Sequence, residues 1–109
     1  MKAGIDIVKI SRMTEKIALR ILGEEEKRIY DSLGHPLRKQ EFAAGRFAAK
    51  EAFVKASGRK DIPFSAIEFL SNEDGSPGPS GALLEIAGSA VTVSISHEKE
   101  YAIAVVILF

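Results

Sequence analysis

Phe42-Ala43-Ala44-Gly45-Arg46-Phe47-Ala48-Ala49-Lys50-Glu51-Ala52-Phe53-Val54-Lys55-Ala56 reads as one helix in which four charged residues stand among alanines and phenylalanines. Alanine is the best helix former, and small side chains let a second backbone lie close, so this helix belongs against a packed surface. An ionised carboxylate in such a setting is costly without compensation. Glu51 therefore needs a cation, either Lys55 one turn later or a metal ion. Upstream, Pro36 suits the first turn of the same helix, and downstream Gly58 suits its C-terminal cap, so the helix is expected to run from Pro36 to about Ser57.

Towards the N-terminus, Gly23 separates two shorter helices. The first, Ser11 to Leu22 with Ser11 as its N-cap, carries Arg12, Lys16 and Arg20 four residues apart, a basic stripe on one face. The second opens on Glu24-Glu25-Glu26, acids at the positive end of the helix dipole, and ends at Ser32-Leu33-Gly34. Before both, Gly4-Ile5-Asp6-Ile7-Val8-Lys9-Ile10 is β-branched and reads as a strand, with Ile5 and Ile7 on one face and Gly4, Asp6 and Val8 on the other. Asp6 thus lies inside a strand, where aspartate is disfavoured.

Beyond Pro63 the pattern takes the period of strands. Strands are expected at 67–70, 82–86, 90–96 and 101–109, with a turn through Asn72 to Gly81 and a hairpin around His97-Glu98-Lys99-Glu100. Val91, Val93, Ile95 and His97 share one face of their strand, and Thr92, Ser94 and Ser96 the other. The fold class is α+β: one domain over residues 1–109, an antiparallel sheet with helices packed on one side.

The 109 residues carry no net charge, which argues against a general nucleic-acid binder. The balance is nevertheless uneven: residues 1–60 sum to +6 and residues 61–109 to −6, so an anionic ligand or partner is expected on the first half. Cysteine is absent, which excludes disulfides and thiolate-bound zinc. The N-terminus has an acid at position 6 and no long apolar stretch, and no run approaches the roughly 20 apolar residues of a membrane span, so a cytoplasmic protein without membrane contact is expected.

Asp6 and Glu51 are the carboxylates least easily explained by structure alone. Hard divalent ions such as Mg²⁺ bind through one or two carboxylates while phosphate and water complete the octahedron, so a strand aspartate meeting a helix glutamate suits a phosphate-handling site. The plainer alternatives are an edge-strand acid facing water and an intrahelical pair with Lys55. Arg46, Lys50 and Lys55 share the helix and either hold phosphate oxygens or form structural ion pairs. Ser94, Ser96 and His97 end a strand beside a polar turn, where hydroxyls and an imidazole are able to meet an anion. No Gly-Xaa-Ser-Xaa-Gly elbow and no Walker-type loop is present.

In combination these segments are more specific. Gly4 to Val8, Phe42 to Ala56, and Val93-Ser94-Ile95-Ser96-His97 with Tyr101-Ala102 resemble the three signature blocks of the holo-[acyl-carrier-protein] synthases, the small trimeric type of 4'-phosphopantetheinyl transferase. The resemblance spans almost the whole chain. It implies that Asp6 and Glu51 bind Mg²⁺, that Asp6, Glu51 and Lys55 form the catalytic group, and that Arg46, Lys55 and His97 line a coenzyme A site. Ser94 and Ser96 lie beside that site, and Gly75 and Pro77 retain two positions of the family's Asn-Gly-Lys-Pro turn. Arg12 matches a basic contact to the acidic carrier protein, extended here by Lys16 and Arg20, while Glu26 and Tyr30 match a structural pattern. The chain departs from the pattern in a shorter segment between Arg12 and Arg20, a shorter loop after Ser57, Ser76 in place of the turn lysine, and Glu98 after His97.

The function so implied is transfer of 4'-phosphopantetheine from coenzyme A to a serine of apo acyl carrier protein, with release of adenosine 3',5'-bisphosphate, by a homotrimer whose sites lie between subunits. The alternatives from other classes are a non-catalytic oligomeric module that binds coenzyme A or a related nucleotide, and a structural interaction protein whose charge asymmetry drives self-assembly.

Overall fold

The first strand and the long helix fix each other. In the computed structural model, which describes all 109 residues, β1 (Lys2–Lys9) presents Gly4, Asp6 and Val8 to the Ala-rich face of α3 (Pro36–Ser57), and Ile5 and Ile7 point away. Ala43, Ala44, Ala48, Ala49, Ala52 and Phe53 of that helix are wholly buried. Gly4 is where the two backbones touch: a Cβ there would collide with the Ala52 carbonyl oxygen. The helix opens with Pro36 in its first turn and closes on Gly58 at φ 72°, a left-handed cap that glycine adopts without strain.

Between them run a 3-10 turn (Ile10–Arg12), α1 (Glu15–Ile21) and α2 (Glu24–Ser32). The cap of α1 is Thr14, whose hydroxyl oxygen accepts from the Ile17 amide at 3.2 Å, not Ser11 as expected from sequence. The 3-10 turn buries Ile10 and Met13 into the core and delays the helix by one turn.

After α3, a second 3-10 turn (Phe64–Ala66) leads into a short hairpin of β2 (Phe69–Ser71) and β3 (Pro77–Pro79). A strand so rich in proline is tolerated because only Gly78 lies between the two prolines at a two-stranded edge. The segment expected as a strand at 82–86 is instead the helix α4 (Gly81–Ala87). Ser80 caps it through its hydroxyl to the Leu83 amide, 3.1 Å, and Gly88 ends it at φ 67°. Ala-Leu-Leu-Glu is a run of helix formers between two caps, and its short length had hidden the helical period.

The chain ends in β4 (Val91–His97) and β5 (Tyr101–Leu108), a hairpin as expected. β5 also pairs antiparallel with β1, so the main sheet has the order β1-β5-β4. Rows across it join Gly4, Val106 and Val93, then Asp6, Ala104 and Ile95, then Val8, Ala102 and His97. α3 covers that face; the opposite face leaves Ile5 57% and Ile7 61% exposed beside Ile103, Ser94 and Ser96. The fold is therefore α+β with helices on one side of an antiparallel sheet. No helix is long and apolar enough to cross a membrane.

Candidate active site

Register and helix phase bring three of the expected residues together at the β1 edge. Asp6 faces α3, and Lys55, near the end of that helix, donates from Nζ to Asp6 Oδ1 at 3.0 Å and to the Ile5 carbonyl oxygen at 2.9 Å. Lys55 thus serves the strand aspartate and not Glu51 one turn before it. Glu51 is partly buried, and its carboxyl is raised above the ordinary range, chiefly by burial, next by the Asp6 charge, with Lys55 pulling the other way. Two carboxylates that feel one another's charge beneath a single lysine form an oxygen donor pair short of positive charge. No third His, Cys, Asp or Glu completes a metal cluster. Such a set fits a hard divalent ion whose other ligands come from phosphate and water.

A second group forms at the opposite edge of the sheet. A groove of about 280 Å³ is lined by Arg38, Phe42, Arg46, Ser71, Gly75 and His97. Arg46 reaches it only in part, because Nε donates to the Phe69 carbonyl oxygen at 3.0 Å while Nη2 donates to the Leu70 carbonyl oxygen at 3.2 Å and Ser71 Oγ at 3.3 Å. Its guanidinium lies 4.3 Å from the centre of the Phe42 ring. Burial lowers its pKa to about 10, with the Glu26 charge opposing, so it stays cationic at neutral pH. Arg38 was not singled out from sequence, although Arg38, Phe42 and Arg46 recur every four residues, the spacing of one helix face.

The other expected residues are placed differently. Ser94 and Ser96 lie on the uncovered sheet face beside Ile5, Ile7 and Ile103, away from the groove. Gly75, at φ 88°, turns the β2–β3 hairpin into the groove, while Pro77 pairs with Ser71 within the hairpin. Arg12, Lys16 and Arg20 are all exposed and form no ion pair within the chain. The largest hollow, about 690 Å³ between the starts of α1 and α3, holds none of these groups.

Lys50 is withdrawn from the phosphate candidates. It is wholly buried, and its ammonium donates to Glu26 Oε1 at 2.5 Å, the Phe64 carbonyl oxygen at 2.8 Å and the Ile67 carbonyl oxygen at 2.6 Å. Glu26 in turn accepts from the Gly23 and Phe69 amides, both at 2.9 Å. Every proton of the ammonium is used, so none is left for a ligand.

A strand aspartate and a helix glutamate thus lie at one edge of the sheet, and an arginine-lined groove at the other. The model of the 4'-phosphopantetheinyl transferase superfamily matches residues 2–106, and the chain belongs to that superfamily. Among curated relatives it is 45% identical to the holo-[acyl-carrier-protein] synthase of Geobacillus sp. (strain WCH70) and 40% to that of Petrotoga mobilis, each match covering 96% of this chain and 92% of the relative. Its backbone is similar to the Bacillus anthracis holo-(acyl-carrier-protein) synthase in complex with CoA (3',5'-ADP), at TM-score 0.84 and 39% identity over 98% of this chain and 94% of the other. The Thermotoga maritima holo-[acyl-carrier-protein] synthase is similar at TM-score 0.80 and 38% identity, over 98% of this chain and 62% of the other.

Proposed function

We propose that the chain is a phosphopantetheinyl transferase that moves 4'-phosphopantetheine from coenzyme A to a serine of apo acyl carrier protein. The observation that carries this reading is the convergence of Asp6, Glu51 and Lys55 at one sheet edge in a chain of this family. The serine oxygen forms a bond to the pantetheine-side phosphorus, the bond from that phosphorus to the bridging diphosphate oxygen breaks, and adenosine 3',5'-bisphosphate leaves. Displacement of this kind asks the protein mainly for positioning and charge neutralisation. Asp6 and Glu51 would hold Mg²⁺, which when bound supplies positive charge to the diphosphate oxygens. Lys55 adds a fixed cation beside Asp6, and the Arg46 and Arg38 groove receives the nucleotide end of the substrate. The serine proton leaves to solvent or to a basic group at the β1 edge.

The two groups stand at opposite edges of a three-stranded sheet, about 10 Å apart at a strand spacing of roughly 4.8 Å. We infer that the β1 edge of one subunit meets the β4 edge of the next, because the uncovered sheet face exposes Ile5, Ile7 and Ile103, apolar area that a second copy would bury. We propose that the assembly is a homotrimer with shared sites, acting in the cytoplasm and in fatty acid synthesis.

Arg12, Lys16 and Arg20, unpaired and exposed, form the surface that receives the acidic carrier. Its charge steers association, so raising NaCl from about 0.05 to 0.5 M is expected to raise the KM for carrier severalfold, and neutralising Arg12, Lys16 and Arg20 should flatten that salt dependence. The deciding assay combines the purified chain, Mg²⁺, coenzyme A and apo carrier and follows the carrier's mass. Addition of one phosphopantetheine group, lost when EDTA removes the metal, is the expected result. Coenzyme A binding without transfer would leave only the non-catalytic module.

A further inference from the structure

Glu41 is a carboxylate in a groove otherwise suited to anions. It is half-buried on α3, and its Oε2 stands 3.7 Å from Nδ1 of His97 at the end of β4. The other charged or titratable groups around the imidazole are Arg38 and Arg46 from α3, Glu98 from the turn after β4 and Tyr101 from the start of β5. Neither arginine pairs with Glu41: Arg46 is bound to the carbonyl groups of β2, and Arg38 makes no ion pair. His97 is the one ion-pair partner this carboxylate has.

At 3.7 Å the two are in reach of one another but not hydrogen-bonded, and Nε2 on the other side of the ring has no hydrogen-bond partner within the chain. We propose that Glu41 is a positioning residue, which holds His97 through Nδ1 so that Nε2–H donates to a phosphate oxygen of coenzyme A in the groove. This rests on the reading that the groove takes coenzyme A. In the complex the imidazole lies between two negative groups, and the 3.7 Å separation tightens to a hydrogen bond on binding.

The proposal fixes a sign. Acting directly on an anionic ligand, Glu41 repels it, so Glu41→Gln should strengthen binding. Acting through His97, Glu41 favours binding, so the same substitution weakens it. We expect the Kd for coenzyme A, measured by calorimetry on the full-length protein with Mg²⁺, to rise roughly five- to tenfold in E41Q. In a H97Q background, E41Q should weaken binding no further. Should E41Q fold poorly, the imidazole ¹⁵N signals of the wild-type complex with coenzyme A decide, with both ring nitrogens of His97 protonated. Tighter or unchanged binding in E41Q, or an Nδ1 without its proton, overturns the role of Glu41. A wild-type chain that binds no coenzyme A overturns the reading of the groove along with it.

Discussion

At Glu51, burial and the Asp6 charge raise the carboxyl's pKa above its ordinary value of 4.5, and Lys55 offsets them only in part. A carboxyl raised on folding favours the folded state while protonated, and that contribution is lost as pH climbs from the ordinary value through the raised one. Glu51→Gln removes the cost of the buried charge. In EDTA, thermal unfolding of E51Q and wild type should coincide at pH 4, and at pH 7.5 the variant should melt on the order of 1–2 °C higher, a small gain because the group is only partly buried. Its transfer rate should nevertheless fall by about 100-fold or more, since the ion loses one of its two carboxylates. A variant that is both less stable and fully active would remove Glu51 from the site. Lys50, its neighbour in sequence, behaves oppositely. Replacing it by Met leaves Glu26 charged, wholly buried and without its cation, so K50M should lose about 3–5 kcal/mol in denaturant melts, and the double variant E26Q/K50M should recover part of that. No recovery in the double variant would mean that the packing of the lysine stem matters more than the pair. Adjacent positions thus separate into fold and chemistry because α3 turns one towards α2 and the other towards β1.

α3 and β1 form the element pair on which the site depends, and Gly4 is its tightest point. A methyl group at Gly4 meets the Ala52 carbonyl and the Ala56 amide, backbone atoms that have nowhere to go, so β1 must move off the helix. Glycine 4 to alanine should cost about 3 kcal/mol, the upper end for overpacking, and should weaken Mg²⁺ binding in parallel because Asp6 travels with the strand. Unchanged metal affinity in a destabilised G4A protein would show that Asp6 and Glu51 do not act as a pair. Much of this pairing was legible in the sequence. Alanine content identified α3, its Pro36 start and Gly58 end were marked, and alternation assigned Gly4, Asp6 and Val8 to one face of β1. What was illegible follows from tertiary competition. α4 is seven residues long, too short for its helical period to outweigh the strand pattern on either side, and only its caps, Ser80 and Gly88, carried the signal. Arg46 had phosphate and a structural ion pair as its alternatives, yet the Phe69 and Leu70 carbonyl groups of β2 take two of its donors. Arg38, Glu41 and the β2–β3 hairpin meet only once α3 is laid across the sheet, and no local pattern foretells that meeting.

For the molecule as a whole, the sheet is narrow, and the proposed function needs groups that stand at its two edges. β1 brings Asp6 beneath Glu51 and Lys55 of α3, β4 brings His97 to the groove, and β5 lies between the two strands. The uncovered face between them exposes Ile5, Ile7 and Ile103, apolar area that a small domain gains by covering. If each site is built from two subunits, a chain damaged at the β1 edge and another damaged at the β4 edge should repair one another. E51Q and H97Q variants, each nearly inactive alone, should regain activity when unfolded together, mixed in equal amounts and refolded. With random assortment in a closed ring, an interface receives its intact β1 half with probability one half and its intact β4 half with the same probability. About a quarter of the interfaces are then whole, and activity should approach a quarter of the wild-type value per chain. A site contained within one chain predicts no recovery at any mixing ratio, since every chain then carries a lesion in its own site. Substituting Ile7 by Glu in both partners supplies the control: a charge on the shared face should abolish the recovery and shift the molecular mass measured by light scattering towards that of a single chain, 11.8 kDa.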